Sequence, residues 1–475
     1  MGSDSVKAIG GQQCTLNGCN YPTVIPRDQY DYPSKLNDFT PGTPLDSNEM
    51  RITFMGSGFP PSKPAQQMMS IFVEVGDAMG EADQFVFDCG SGVISNYTAM
   101  EIPYGRMDKV FITHLHGDHM SDLSAIYCFG PSEDRKSPLY VWGPSRSGVE
   151  SPKGSGKYYN DGTKAFCESL RKAMRWHTES FSFLPTSYKS YKIPTKQDWG
   201  LPCKPKPVGN DSPDDGFALV PIELKWRQVG GVAYDNKNSG VRITHFPVIH
   251  CRQGSIGYKL EWNGLTMIYT SDTRPETNCI EQAKNIDPMT GEARGVDVFI
   301  HEMILPPELM ATKGMRLPAP DYADPNFDAS VYFAKTVIES SHTPQGALGY
   351  ILSQINPHPK LSVITHCPVA DDAVACALKS VQAHCPWAIM DKDNPNASNI
   401  IWSTDLMVLR VHDNHQIEQL RGNVNDYIFS PPTNVPTPLN TAKYSTKAGL
   451  MDPTQQLDLS TFIEPGDDTW CKDGY

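Results

Sequence analysis

An α/β fold is what this 475-residue chain predicts, and two observations carry it. Short apolar runs of strand length recur along the sequence, and several stop at a histidine or an aspartate. Other stretches have helical spacing, as where Phe166, Leu170, Ala173 and His177 recur within 163–177. In chain order the strands begin with Met50-Arg51-Ile52-Thr53-Phe54-Met55 running into Gly56-Ser57-Gly58, and Phe85-Val86-Phe87 running into Asp88-Cys89-Gly90. Val110-Phe111-Ile112 precedes Thr113-His114-Leu115-His116-Gly117-Asp118-His119. Downstream, one apolar run leads to His250, one to Asp272, one to His301-Glu302 and one to His366. Ser341-His342-Thr343-Pro344-Gln345 heads a further helix-like stretch.

The segment from His114 to His119 carries the chemistry. Three imidazoles and a carboxylate fall within six residues of a chain that has 13 histidines in all. Imidazole nitrogen and carboxylate oxygen are donors that Zn²⁺ accepts readily. Alternate residues of an extended chain share a face, which puts His114 and His116 together. A turn at Gly117 then swings Asp118 and His119 toward a second metal. Remaining ligands are expected where other strands end, since a buried strand delivers its last side chain to the rim of a sheet. His250 offers a third nitrogen to the first metal, Asp272 a carboxylate that bridges both, and His366 a further nitrogen. His245 is the rival to His250, but it is expected at the head of its strand.

This H-x-H-x-D-H segment after an apolar strand resembles the metallo-β-lactamase-fold hydrolases. The resemblance implies a four-layer αββα sandwich with the metals at one edge of two sheets. The opening strand with its glycine turn and the D-x-G at Asp88 are similar to that family's, and Asp88 there supports a metal-binding histidine from behind. The order of motifs narrows the resemblance to the ribonuclease Z branch, which includes metal-dependent arylsulfatases and phosphodiesterases. His250 followed by Gly257-Tyr258, then Ser271-Asp272-Thr273-Arg274-Pro275, then His301-Glu302 and His342-Thr343 follow that order over about residues 50–127 and 240–412. The resemblance implies His342 as general acid, with Glu302 orienting and charging it, and leaves His301 a structural part. One departure stands out: the S-x-R-Y run that follows the last ligand in many ribonuclease Z proteins is here His366-Cys367-Pro368-Val369.

The activity these readings imply is hydrolysis of a small ester by a metal-bound hydroxide on two Zn²⁺ ions, with Asp118, His342 and Glu302 as catalytic residues. Iron and manganese accept a similar donor set. The substrate is expected to be an anionic ester, a sulfate ester of the arylsulfatase type ahead of a phosphodiester. Alternatives are a lactone or β-lactam hydrolase, a ribonuclease Z-type tRNA 3′ endonuclease, and a non-hydrolytic member holding a ligand or an iron pair. Arg274 fits either an anionic substrate or a strand-capping ion pair.

Composition bounds the rest. Residues 1–49 read as an irregular arm, 50–430 as the metallo-hydrolase domain and 431–475 as a tail. Insertions are expected at about 145–240 and 305–340, and substrate choice is expected to reside in them. Trp176, Phe181, Phe183 and Tyr188 in the first are candidates for an apolar pocket or for core packing; Met303, Met310 and Met315 give the second an adaptable apolar texture. No run is long and apolar enough for a membrane span. With 41 basic against 54 acidic residues the net charge is −13, and no basic track stands out. His250 and Asp272 are only 22 residues apart (250 to 272), where the ribonuclease Z branch normally inserts its tRNA-gripping arm. Both facts argue against a nucleic-acid partner. Twelve cysteines point both ways: Cys89, Cys128 and Cys251 read as buried thiols, while Cys14, Cys19 and Cys471 suit a disulfide outside the cytoplasm. A periplasmic or secreted location is therefore favoured over a cytoplasmic one, and a homodimer is compatible with the resemblance.

Overall fold

A computed structural model describes residues 13–16, 19–22, 36–61, 66–181, 216–304, 306–317, 320–367, 373–391 and 393–424. Two large sheets organise them. The first has nine strands, ordered Asn37–Phe39, Ile417–Gly422, Met407–His412, Glu49–Gly56, Ser70–Asp77, Gly80–Phe87, Lys109–Phe111, Leu139–Pro144 and Leu219–Leu224. The second has seven, ordered Gly231–Asn236, Val241–Pro247, Ile256–Trp262, Leu265–Tyr269, Val298–Glu302, Leu361–Thr365 and Ile400–Trp402.

Side-chain alternation makes the layers. Ile71, Val73, Phe85 and Phe87 point into a core shared with Ile243, Tyr258, Met267 and Tyr269 of the second sheet. Their neighbours Phe72 and Val86 point the other way, against Val93 and Tyr97 of the helix Val93–Ala99 and Leu123 and Ile126 of the helix Leu123–Phe129. On the far side of the second sheet, Cys279, Leu348 and Val381 come from the helices Thr277–Lys284, Gln345–Gln354 and Ala373–His384. Helices thus flank two packed sheets, the four-layer αββα sandwich expected. Strands buried on both faces explain why their sequences are apolar runs and not a clean alternation. Phe111 stacks on Trp142 with centroids 4.6 Å apart and meets Tyr258 of the opposite sheet edge-on at 5.6 Å, which ties the two sheets together.

Strand direction positions the site. Leu265–Tyr269, Val298–Glu302 and Leu361–Thr365 run parallel, with Glu302 beside Thr365 in register. Gly80–Phe87 and Lys109–Phe111 are parallel in the first sheet. Parallel neighbours deliver their C-terminal ends to one rim, so the residues that follow five strands gather at one edge. The hairpin between Ile256–Trp262 and Leu265–Tyr269 turns on Asn263 and Gly264, both at positive φ, as a tight two-residue turn requires.

Several expectations are corrected. The N-terminal arm is not wholly irregular: Gln13–Leu16 pairs with Cys19–Pro22, and Asn37–Phe39 joins the nine-stranded sheet beside Ile417–Gly422. The stretch 145–240 is not all insertion, because Leu219–Leu224 and Gly231–Asn236 are strands of the two sheets. Two helices, Thr163–Ala173 and Arg175–Phe181, follow 145–162. Trp176 is 84% exposed, not part of a packed core. The side chain of Phe181, residues Phe183 and Tyr188, and the 431–475 tail lie outside the described residues, as do the side chains of Cys14 and Cys19. Met303 is fully buried in the shared core, so it belongs to the sandwich and not to an adaptable surface. Among the described residues no helix is long and apolar enough to cross a membrane.

Backbone crowding holds the metal-motif loop against the sheet. Met69 N–H donates to Asp118 O at 3.1 Å, Cys89 N–H to His119 O at 2.7 Å and Gly90 N–H to Met69 O at 2.8 Å. A Cβ on Gly90 would lie 2.1 Å from Asp118 O, whereas one on Gly117 would meet only Ser121 Oγ, at 3.5 Å. Gly90→Ala is therefore expected to destabilise the fold by about 1–3 kcal/mol or more, and Gly117→Ala by under about 1 kcal/mol, in urea unfolding followed by circular dichroism.

Candidate metal centre

Seven donors meet at the rim. His114, His116 and His250 form one group; Asp118, His119, Asp272 and His366 form a second, the donor atoms within each group lying no more than 4.8 Å apart. His114 and His116 follow the strand Lys109–Phe111, and Asp118 and His119 lie on the short helix Gly117–Met120. His366 directly follows Leu361–Thr365. Asp272 and His250 each sit three residues past their strands, Leu265–Tyr269 and Val241–Pro247, so these two are loop residues and not strand-terminal ones. Asp88, Ser271 and His366 all adopt positive φ (56°, 56° and 55°) where their chains leave the sheets. Non-glycine residues in this region carry strain, and such positions cluster at functional sites.

The donor spacing suits metal ions. Nε2 of His119 is 3.4 Å from Asp272 Oδ1 and 3.6 Å from Asp118 Oδ2; His366 Nε2 is 3.2 Å from Asp118 Oδ2 and 3.4 Å from Asp272 Oδ2. Ligands about 2 Å from a tetrahedral ion stand roughly 3.3 Å apart. In the first group His250 Nε2 is 3.1 Å from His116 Nδ1. Asp272 Oδ2 also lies 3.8 Å from His250 Nε2, so this carboxylate faces both groups. Nε2 of His114, Nε2 of His119 and Oδ1 of Asp272 are buried without a hydrogen-bond partner. Buried polar atoms are normally satisfied, and orphans in both donor groups fit a pair of cations.

Electrostatics prepare the donors. Burial drops His114 well below its ordinary pKa and His250 to about 4, which leaves both rings neutral with a lone pair to offer. Burial would raise Asp118, but the imidazoles of His366 and His119 outweigh it and bring the carboxyl to about 2. Ring orientation is set from behind. Asp88 accepts from His119 Nδ1 at 2.8 Å, from Tyr269 Oη at 2.8 Å and from Thr113 N–H at 2.8 Å. His250 Nδ1 donates to Ser341 O at 2.8 Å. Each of these bonds turns Nε2 of its histidine toward the centre.

Beside the second group lies a titrating pair. His342 caps the C-terminus of the helix Phe327–Ser341, and its Nδ1 is 3.0 Å from Glu302 Oε1 and 4.0 Å from Asp272 Oδ2. Burial disfavours a charged ring, yet Glu302 and Asp272 together push His342 up to about 9. Burial raises Glu302 itself, which is fully enclosed. The imidazole is thus protonated at neutral pH, and Glu302 is tied down further by Thr273 N–H at 2.7 Å.

Every expected site residue is in this constellation: His114, His116, Asp118, His119, His250, Asp272, His366, His342 and Glu302. His245 is elsewhere; it is the fifth residue of Val241–Pro247, not its head, and its Nε2 meets Lys225 O. His301 is buried with Nδ1 on Glu302 O and takes no part in either donor group. Arg274 is exposed. Cys89 and Cys128 are buried as expected, but Cys251 is exposed, with Sγ 3.5 Å from His116 Nε2. Thr113, Ser341 and Tyr269 were not foreseen, because a hydroxyl or carbonyl that orients a ring has no motif of its own. Asp405 was missed too: it accepts from Ser57 N–H and Oγ, Gln67 N–H and Asn96 Nδ2, and Ser57 O receives His366 N–H.

The chain is similar to several known proteins. A family model described as "Anti-Pycsar protein Apyc1" matches residues 50–144. The chain is similar to the Zinc phosphodiesterase ELAC protein 1 of Homo sapiens, 31% identical over 99 residues, which are 20% of this chain and 26% of that protein. It is similar to the Ribonuclease BN of Proteus mirabilis, 22% identical over 265 residues, 54% of this chain and 78% of that one. Among solved structures, the metallo-β-lactamase-fold protein YhfI from Bacillus subtilis matches with a TM-score of 0.44 at 12% identity, over 76% of this chain and 99% of that one. The chain thus spans about a quarter of the human relative. Relatives named as ribonucleases lend no support to the expectation that nucleic acid is not a partner.

Asp88→Asn removes the acceptor charge behind His119 and is expected to weaken metal affinity about 10–100-fold, measured by competition with a chromogenic chelator.

Proposed function

We propose that this metallo-β-lactamase-fold chain, with ribonuclease Z and BN relatives, is a dizinc hydrolase of a small phosphodiester, with a sulfate ester as the nearest substitute. The observation that carries the reading is the pair of donor groups sharing Asp272, with the His342–Glu302 couple at their side. His114, His116, His250 and Asp272 would hold one ion; Asp118, His119, Asp272 and His366 the other. Zinc bound there would supply Lewis acidity toward the ester oxygens and lower the pKa of water toward neutrality. The relatives' names favour phosphorus over sulfur as the electrophile, which reverses the order expected from the sequence.

The chain's own residues do the rest. Glu302 holds His342 by Nδ1, which keeps the ring protonated and leaves Nε2 to carry the proton to the departing oxygen. Thr273 N–H on Glu302 and Ser341 O on His250 keep the acid and the first donor group in fixed relation, since His342 follows Ser341 directly. Asp118 is a carboxylate at neutral pH and so fits a ligand or water-orienting role. The tRNA reading is disfavoured because a plain hairpin fills the interval from His250 to Asp272.

Purified protein is expected to carry about two zinc ions per chain by mass spectrometry and to hydrolyse bis(4-nitrophenyl) phosphate. His342→Ala should lower kcat by about 10²–10⁴ with metal content unchanged. Turnover restricted to a lactone or cephalosporin would move the chemistry to carbon, cleavage restricted to a precursor tRNA would restore the nuclease reading, and iron in place of zinc would set the dizinc assignment aside.

A further inference from the structure

We propose that the cleft between the helices Pro307–Gly314 and Phe327–Ser341 binds an apolar substituent of the substrate, so that the enzyme selects esters bearing an alkyl or aryl group; this rests on the hydrolytic reading above. The cleft has a volume of about 830 Å³, within the range of small-molecule sites. Its lining is dominated by Phe59, Pro61, Met310, Met315, Phe333 and Ala334. Phe333 is 69% exposed, an apolar surface that water solvates poorly and a ligand would cover.

One wall touches the metal centre and the other leads toward it. The helix that contributes Phe333 and Ala334 ends at Ser341, and His342 caps it. On the other wall the Phe59 ring packs on the His366 ring with centroids 5.7 Å apart. Gln66, which also lines the cleft, donates to Cys367 O at 2.8 Å, and His366 N–H donates to Ser57 O. An ester held between His366 and His342 therefore has the Phe59 wall of an apolar cleft on its His366 side. Arg316 lines the same cleft, is exposed, and makes no ion pair among the described residues, which adds a cation suited to an anionic amphiphile. The cleft beside His114, His116 and His250 is smaller, about 460 Å³, and mixed in character, with Leu115, Ala165 and Phe166 beside Ser145, Asp161 and Arg252 in its walls. The cleft on the His366 side is the larger and the more apolar of the two, and so the better fit for an apolar substituent.

The test compares methyl and octyl 4-nitrophenyl phosphate as substrates of the zinc-loaded protein, and methyl and octyl phosphate as ligands in calorimetry. Each buried methylene is worth roughly fourfold in affinity, so kcat/KM for the octyl ester should exceed that for the methyl ester by at least about tenfold. Octyl phosphate should bind at least about tenfold more tightly than methyl phosphate. Gly314→Trp and Ala329→Trp place bulk in the cleft; a Cβ at 314 meets nothing within 4 Å, and Ala329 is exposed. Both variants should keep the wild-type unfolding midpoint and lose most of the octyl preference in both assays. Equal affinity for the two phosphates in the wild type, or a preference that survives in both variants, would overturn the cleft assignment. If neither ester is hydrolysed, the hydrolytic reading fails while calorimetry still decides the cleft.

Discussion

Asp88 is the interaction on which the site depends. Its carboxylate is wholly buried at the junction of the two sheets and accepts from Thr113 and His119 of the first and Tyr269 of the second. Removing a carboxylate from water is costly, and only a full set of donors offsets that cost. Those donors are the residues that aim His119 at the centre and, through Thr113, steady His114 at 3.2 Å. One buried charge thus couples the packing of the sandwich to the geometry of the donors. The positive φ of Asp88 itself is the local strain that this network over-determines.

The rim divides into two kinds of polar group. Neutral imidazoles whose charge is suppressed by burial form the first donor group, while carboxylates and imidazoles that compensate one another form the second. His342 is set apart by Glu302, which keeps its ring protonated where burial leaves His114 and His250 neutral. The same residue type therefore plays two roles within a few ångströms, and burial against carboxylate contact decides which.

Much of this was legible because the chemistry is written as residue types at strand ends. The H-x-H-x-D-H segment, the apolar runs before Asp272, Glu302 and His366, and the 22-residue interval after His250 (250 to 272) each named their residues directly. Less legible were groups that act through a backbone atom or a lone hydroxyl, such as Ser341 O on His250 and Tyr269 Oη on Asp88. The boundaries of 145–240 misled because Leu219–Leu224 and Gly231–Asn236 are short and partly exposed edge strands, whose mixed polarity reads as loop. Cys251 reads as a buried thiol of a core or site-flanking strand, yet it follows the end of its strand and is exposed.

By itself the sequence determined the class of fold, the polar residues that stand where strands end and the absence of an arm between His250 and Asp272, since periodicity, residue chemistry and spacing are local properties. Only the tertiary structure decided which donors share a group, that Asp272 faces both, that His342 meets Glu302, and that a cleft opens beside His366. Those are distances between residues far apart in the chain. They depend on how parallel strands from two sheets align their ends, which no local pattern encodes.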